Sequence, residues 1–498
     1  MLPDTTSAAD TAPPSQSYAA PRLRHTTAAL LGARVVSALA TLAILAFLAR
    51  LRGIDSLGIG SLGVVTGTIL ASLTEGGTNS LLIREVSRSR SASRSLLTSV
   101  LAIRTIILPV FVVISIPLFR LAFGSTGNLV LLFALAFVIQ QFGELARALL
   151  LATGHPYVTA AHGTLENAVW AAVSVAMLVL GAGLYAVAWA GLLVMVVSAV
   201  AGAILAGALG VRTSAASWAD LRHAIWLALP FEGYSLVMVA AFRLDTVLVS
   251  LLVPAGIAAA GAYFAASRLI ASAEYLPEAM SRAIYPHLSR RTIGLDGGAH
   301  DVVLPAVRDL LRLSMPVPVC LLIGGSAVLP IIFGPELAPY AWILTVLGLA
   351  IPARFLVILY GVALTSANAQ GLRVLITAVA VVCGQGLNLI FLPLIGVPAA
   401  VAASIVTTVL LLIPYAWEVR HRFGGLFRPE DLLAPLAAAL VAAIPAVAVT
   451  LVLGNSSILA VGLILVVFGA CYFAIVASVP AIQAMWRRRR QPQESRPL

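Results

Sequence analysis

Apolar residues dominate stretches of roughly twenty positions from near residue 26 to near residue 480, and the breaks between them are short, arginine-bearing or glycine-rich. The stretches fall at 26–48, 57–80, 97–119, 128–150, 158–180, 184–208, 224–252, 257–280, 309–332, 340–363, 373–393, 397–417, 432–453 and 457–480. One helical crossing of a bilayer takes about 20 apolar residues, so the pattern predicts fourteen transmembrane helices. The stretches lack the alternation of barrel strands, and a spanning helix satisfies its own backbone hydrogen bonds. The expected fold is an all-α polytopic membrane protein.

Composition sharpens this. Of 498 residues 60% are hydrophobic and 10% charged, against roughly 45–50% and 25% in soluble domains. A large soluble catalytic domain is excluded. The connections assigned to one face are very short, as at 181–183, 334–336 and 454–456, and the longest on the other runs around Arg282 to Arg308. A membrane glycosyltransferase or polymer ligase would need a sizeable catalytic loop, which is missing. The three cysteines, Cys320, Cys383 and Cys471, stand apart in apolar stretches and suggest neither a disulfide nor a metal site.

All 31 basic residues are arginine, and their placement matters more than their sum. With the N-terminus inside, the inner loops and helix ends hold 23 arginines; the outer ones hold three, Arg50, Arg52 and Arg120. Arginine-rich loops stay on the cytoplasmic side, which predicts that both termini are cytoplasmic; a multi-pass protein of the plasma (inner) membrane is expected. Residues 1–25 read as a disordered tail, and residues 483–498 as a basic tail whose Arg487–Arg490 run meets anionic headgroups. The arginines punctuate apolar runs, so membrane lipids rather than nucleic acid are the expected partner.

Loop signatures repeat at offsets of 203, 210 and 215 residues: Gly58 with Gly261, Phe123-Gly124 with Phe333-Gly334, and the exits from helices four and ten. The expected organisation is a six-helix lobe at 26–210, a second at 211–420 and an extra helix pair at 421–482. Helices four and ten leave their runs through Ala148 to His155 and Ala363 to Gln370.

The stretches Arg50-Leu51-Arg52-Gly53 through Gly58, Leu82 to Arg88, Arg243-Leu244-Asp245, Gly261 to Leu269, Tyr285 to Ser289 and Gly386 to Gly396 occur in an order and spacing that resembles the multidrug/oligosaccharidyl-lipid/polysaccharide flippase superfamily, and within it the Wzx-like polysaccharide flippases. Coverage is nearly end to end; Val397-Pro398-Ala399 departs from a second glycine expected after Gly396. The resemblance implies alternating access between two lobes, a lipid-linked oligosaccharide as substrate and no cofactor or enzymatic activity. It also implies a monomer that meets a polysaccharide polymerase or glycosyltransferases. A lipid II (peptidoglycan precursor) flippase and a cation-coupled multidrug exporter of the same superfamily are the alternatives. A scaffold role in glycan assembly is a third class.

Five arginines fall inside runs: Arg34, Arg104, Arg243, Arg268 and Arg354. At about 2.5–3.5 kcal/mol each in mid-bilayer, they are expected to face protein or water. Arginine stays charged and offers paired donors to phosphate oxygens, so a cationic cavity for an anionic, pyrophosphate-bearing lipid is expected. Asp245, Glu166 and Glu232 are candidates for binding a coupling cation. Glu274, Glu278 and Arg282, on one face with Arg268, are expected to form a ladder that gates the cytoplasmic end. Glu144 and Arg147, three apart, read as a structural ion pair. With no lysine there is no P-loop, so an ion gradient is expected to bias the cycle.

Overall fold

The computed structural model describes residues 20–88, 93–211, 213–254, 256–293, 300–424, 429–454 and 458–490. Residues 1–19 and 491–498 of the two expected tails lie outside the described residues, as do Arg90, Arg212, Arg428 and Arg496 and the Asn455-Ser456 turn. Residues 20–25, expected in the tail, belong to the first helix, and the last helix continues to Arg490.

The first half holds α1 (Ala20–Arg52), α2 (Ile54–Glu75), α3 (Thr78–Arg88), α4 (Ser93–Phe123), α5 (Gly127–Ala152), α6 (Pro156–Val179) and α7 (Leu184–Ala208). There follow α8 (Trp218–Leu252), α9 (Gly256–Ala273), α10 (Tyr275–Ile293), α11 (His300–Ser314), α12 (Pro316–Phe333), α13 (Ala341–Leu349), α14 (Ile351–Ser366), α15 (Gln370–Ile395) and α16 (Val397–Phe423). The chain ends in α17 (Pro429–Leu453) and α18 (Ile458–Arg490). No strand occurs among the described residues.

Ten stretches are long and apolar enough to cross a membrane alone, and a bent pair makes eleven. One of the ten, Arg94–Ala152, contains both α4 and α5. The polar-interrupted α6 and α8, 24 and 35 residues long, fill the remaining expected runs. Helix therefore occupies all fourteen apolar stretches, and the protein is an all-α polytopic membrane protein.

Besides the second run, which breaks near its end between α2 and α3, three of the runs in the second half are broken helices. The eighth is α9 and α10, separated at Glu274; the ninth is α11 and α12, separated at Met315; the tenth is α13 and α14, bent by 46° at Ala350. Pro316 and Pro352 open the second piece in two of these, where a missing N–H costs no helical hydrogen bond. After α2, Gly76 and Gly77 at φ of 59° and 69° turn the chain into α3.

Between helices in lipid, close packing of small residues replaces the hydrophobic driving force. Where α2 meets α9, a Cβ on Gly58 would stand 2.1 Å from the Ile257 carbonyl oxygen, and one on Gly261 would stand 2.7 Å from the Gly58 nitrogen. Only glycine permits that approach, and it joins the first half of the chain to the second. Within the first half α1 packs on α6, and α5 on α2 and α7; within the second α15 packs on α8 and α16, and α14 on α10 and α16. A separate apolar cluster of Val319, Ala442, Ala446, Ile464, Phe468 and Tyr472 seats α17 and α18 on α12. Arg308 on α11 holds Asp431 at 2.8 Å, fixing the start of α17.

Candidate cationic site

The five arginines inside the runs divide by what holds them. Arg104 on α4 is fully buried and donates to Thr78 Oγ1 (2.7 Å), Asn79 Oδ1 (2.9 Å) and the Gln141 carbonyl (2.6 Å). It pins the first turn of α3 and the middle of α5 to α4. Arg354 on α14 donates to Glu274 at 2.8 Å and to Ser404 of α16 at 2.8 Å. Arg34 on α1 is exposed and reaches Glu278 of α10 at 3.0 Å.

Arg243 on α8 and Arg268 on α9 differ. Their charges lie close enough to oppose one another, and neither guanidinium makes a hydrogen bond or ion pair among the described residues. The Arg268 Nε is buried without a partner. Asp245, two residues beyond Arg243, interacts with it through charge but is held elsewhere by hydrogen bonds. Its Oδ2 accepts from the Tyr263 hydroxyl of α9 at 2.6 Å, and its Oδ1 from the Thr246 backbone N–H at 2.7 Å. Two like charges on adjacent helices with donors unused can bind an anion's oxygens.

Glu166 on α6 is placed well away, inside the first half. Its Oε1 accepts from Gln140 (2.7 Å) and Arg147 (3.1 Å), and its Oε2 from Arg147 (2.8 Å) and Ser198 (2.5 Å). His162 adds a contact to Arg147 at 3.1 Å. This buried hub ties α5, α6 and α7 together. The Glu144–Arg147 pair is present at 2.9 Å as one edge of it. Glu232 on α8 is partly buried, its two carboxyl oxygens shielded from solvent and without a hydrogen bond; Glu75 and the Gly77 backbone face it.

The expected Glu274–Glu278–Arg282 ladder is divided by the break after α9. Glu274 turns to Arg354, while Glu278 on α10 joins Arg34 and Arg282, the latter at 3.3 Å. The i,i+4 spacing that suggested a ladder holds only along a continuous helix. Tyr263 and Ser404, which position Asp245 and Arg354, escaped the sequence reading because neither is charged; Tyr263 sits in the Gly261 to Leu269 stretch that carried the resemblance. At the opposite end, Arg50 and Glu336 each bond across the two halves, although sequence showed them only as loop charges.

In fold, the chain is similar to the lipid II flippase MurJ in an inward closed conformation, with a TM-score of 0.74 at 13% identity over 91% of this chain and 98% of that one. A mutant of the Vibrio cholerae MATE transporter VcmN gives a TM-score of 0.57 at 14% identity, over 80% of this chain and 98% of that one. A multidrug resistance MATE family transporter of the MOP superfamily, in an inward-facing conformation, gives 0.59 at 16% identity over 78% of this chain and 94% of that one. No curated protein sequence matches the chain. Residues 47–341, more than half of the sequence, match the family described as polysaccharide biosynthesis protein. They span α2 through α12 and carry both unpartnered arginines, and by that match the chain belongs to the polysaccharide biosynthesis protein family.

Proposed function

We propose that the protein is a flippase that carries a polyprenyl-pyrophosphate-linked oligosaccharide or polysaccharide unit across the plasma membrane for cell-surface polysaccharide biosynthesis. The observation that carries the reading is the Arg243–Arg268 pair, two adjacent guanidinium groups without an anionic hydrogen-bond partner. A pyrophosphate at the junction of sugar and lipid supplies two adjoining anionic centres, and arginine binds such oxygens through paired donors. Arg34 lies at the cytoplasmic entrance in this reading, held by Glu278 until substrate arrives. Arg104 and Arg354 act as structural anchors.

The protein works by alternating access of residues 26–210 against 211–420, with both termini cytoplasmic and no catalytic step of its own. Family and fold are those of transporters, which supports that assignment. A cation gradient biases the cycle, and Asp245 is the carboxylate placed to feel it, because it shares the neighbourhood of Arg243 and is held by only one side chain beyond its own turn. A second reading, lipid II as the cargo, is favoured by the similarity to the lipid II flippase MurJ; it uses the same pyrophosphate chemistry. The chain is a monomer in this scheme, and a polymerase or glycosyltransferases meet its product or supply its substrate.

The test is flipping of a fluorescent polyprenyl-pyrophosphate saccharide in proteoliposomes. Arg243→Ala and Arg268→Ala are expected to abolish most flipping while the protein still inserts and elutes as a single species. Full flipping by the double variant would overturn the anion site.

A further inference from the structure

At the end of the molecule where α1 turns into α2, the two halves hold each other by their helix termini. Arg50, in the last turn of α1, donates from Nε to the Ile332 carbonyl at 2.9 Å, and from its second terminal nitrogen to the Ile331 carbonyl. Those carbonyls belong to the last turn of α12, where helical partners run out and a cation is favoured. In return, Glu336, two residues past Gly334, reaches the start of α2. Its Oε2 accepts the Ile54 backbone N–H at 2.8 Å. The N-cap of α2 is Gly53, which has no side chain to cap with, so a carboxylate from the other half does what a local serine or aspartate would do. Both corners turn on glycine at positive φ, 84° at Gly53 and 110° at Gly334. A Cβ on Gly53 would stand 3.3 Å from the Glu336 Oε2, and one on Gly334 would stand 3.6 Å from the Arg50 Cγ.

Arg50 and Glu336 form no ion pair with each other. Each is matched instead to the opposite pole of a helix in the other half. The Gly58–Gly261 contact closes the same seam deeper in. The caps are exposed, so water can replace both when the seam opens, at a cost far below that of breaking a buried pair. We infer that this reciprocal capping is a releasable latch that sets how much of the population is closed at this end. The arginine distribution names this end the outer one, and the flippase reading is needed only to make its opening part of a transport cycle.

The experiment reads conformation without transport. With the three native cysteines replaced by alanine, spin labels at Asp55→Cys on α2 and Leu251→Cys at the end of α8, both exposed positions, report the width of the seam by pulsed electron resonance in nanodiscs. Glu336→Gln and Arg50→Gln are each expected to raise the ratio of long to short distances about fivefold, the size a lost helix cap supports. Arg120→Gln, which disturbs a contact to Asn128 within one half, is expected to leave the distribution unchanged. The exchange Arg50→Glu with Glu336→Arg separates reciprocal capping from an ordinary ion pair. It sets a carboxylate on carbonyls and a guanidinium on N–H groups, so it should open the seam further than either single variant. A wild-type distribution in both single variants, or a wild-type distribution restored by the exchange, would overturn the latch. Loss of flipping with the latch intact would count against the proposed function alone.

Discussion

Glu274 and Arg354 meet at 2.8 Å, and each stands at a break in its own helix. Glu274 occupies the single residue between α9 and α10; Arg354 donates its backbone N–H to Ala350, the residue at which α13 bends into α14. One ion pair therefore ties two discontinuities together, with side chains only 19% and 17% exposed. Ser404 of α16 holds the other side of the same guanidinium.

Removing either partner leaves a largely buried charge without its counter-ion. Arg354→Ala or Glu274→Ala is expected to lower stability by about 2 kcal/mol, and the double variant by less than the sum of the two. Thermal unfolding of the four proteins in one detergent gives the double-mutant cycle. Additive losses would mean the pair has no coupling.

The Glu166 hub predicts a larger loss. Its side chain is 1% exposed and accepts four hydrogen bonds. Glu166→Gln leaves Arg147 with Glu144 as its one carboxylate partner among the described residues and is expected to cost about 3 kcal/mol, with poor accumulation of folded protein. If the variant is as stable as wild type and instead loses gradient response, Glu166 is a coupling residue and Asp245 is displaced.

Gly58→Ala places a methyl group against the Ile257 backbone, which has no side-chain freedom to yield. Stability is expected to fall by about 2 kcal/mol, or the seam between α2 and α9 to stand open. Gly462→Ala, where no atom lies within 4 Å, serves as the tolerated comparison. Melting temperatures and the spin-label distances above distinguish the two results.

Topology is tested by cysteines at Asp55 and Arg94. A membrane-impermeant maleimide applied to intact cells is expected to label the first and not the second. The reverse result would invert the orientation argued from 23 arginines against three.

Asp245→Asn keeps an acceptor for the Tyr263 hydroxyl but removes the charge. In vesicles with an imposed proton or sodium gradient, its flipping is expected to be the same with and without the gradient. Stimulation equal to wild type would make Asp245 structural and pass the role to Glu232.

All fourteen apolar runs were legible, because length and hydropathy are local properties that helix formation in lipid obeys. The breaks were less so. The run through Ala350 stays apolar across its discontinuity, and Pro352 two residues past the bend reads equally as a proline tolerated inside a membrane helix; at the other break, Glu274 and Glu278 read as neighbours on one continuous helix. Charged positions could be named but not paired. Arg34 finds Glu278 at a separation of 244 residues, and Arg50 finds the α12 carbonyls across 281 and 282. Such partners are set by which helices pack together, and no periodicity along one helix contains that information. The Arg243–Arg268 pair was recognisable as two costly charges; that these two, of the five arginines inside runs, lack hydrogen-bond partners among the described residues emerged only from the packing.

The broken helices are unevenly distributed, and stiffness follows their distribution. Three of the six runs between Trp218 and Phe423 are interrupted, whereas α5, α6 and α7 pass through without a break. An intact helix transmits rotation along its length, while an interrupted one concentrates curvature at the gap. The α5–α7 group should therefore turn as a rigid lever, while the interrupted runs of the second half should flex. Distances within α5 to α7 would then stay constant through the cycle, while one spanning the Glu274 break changes.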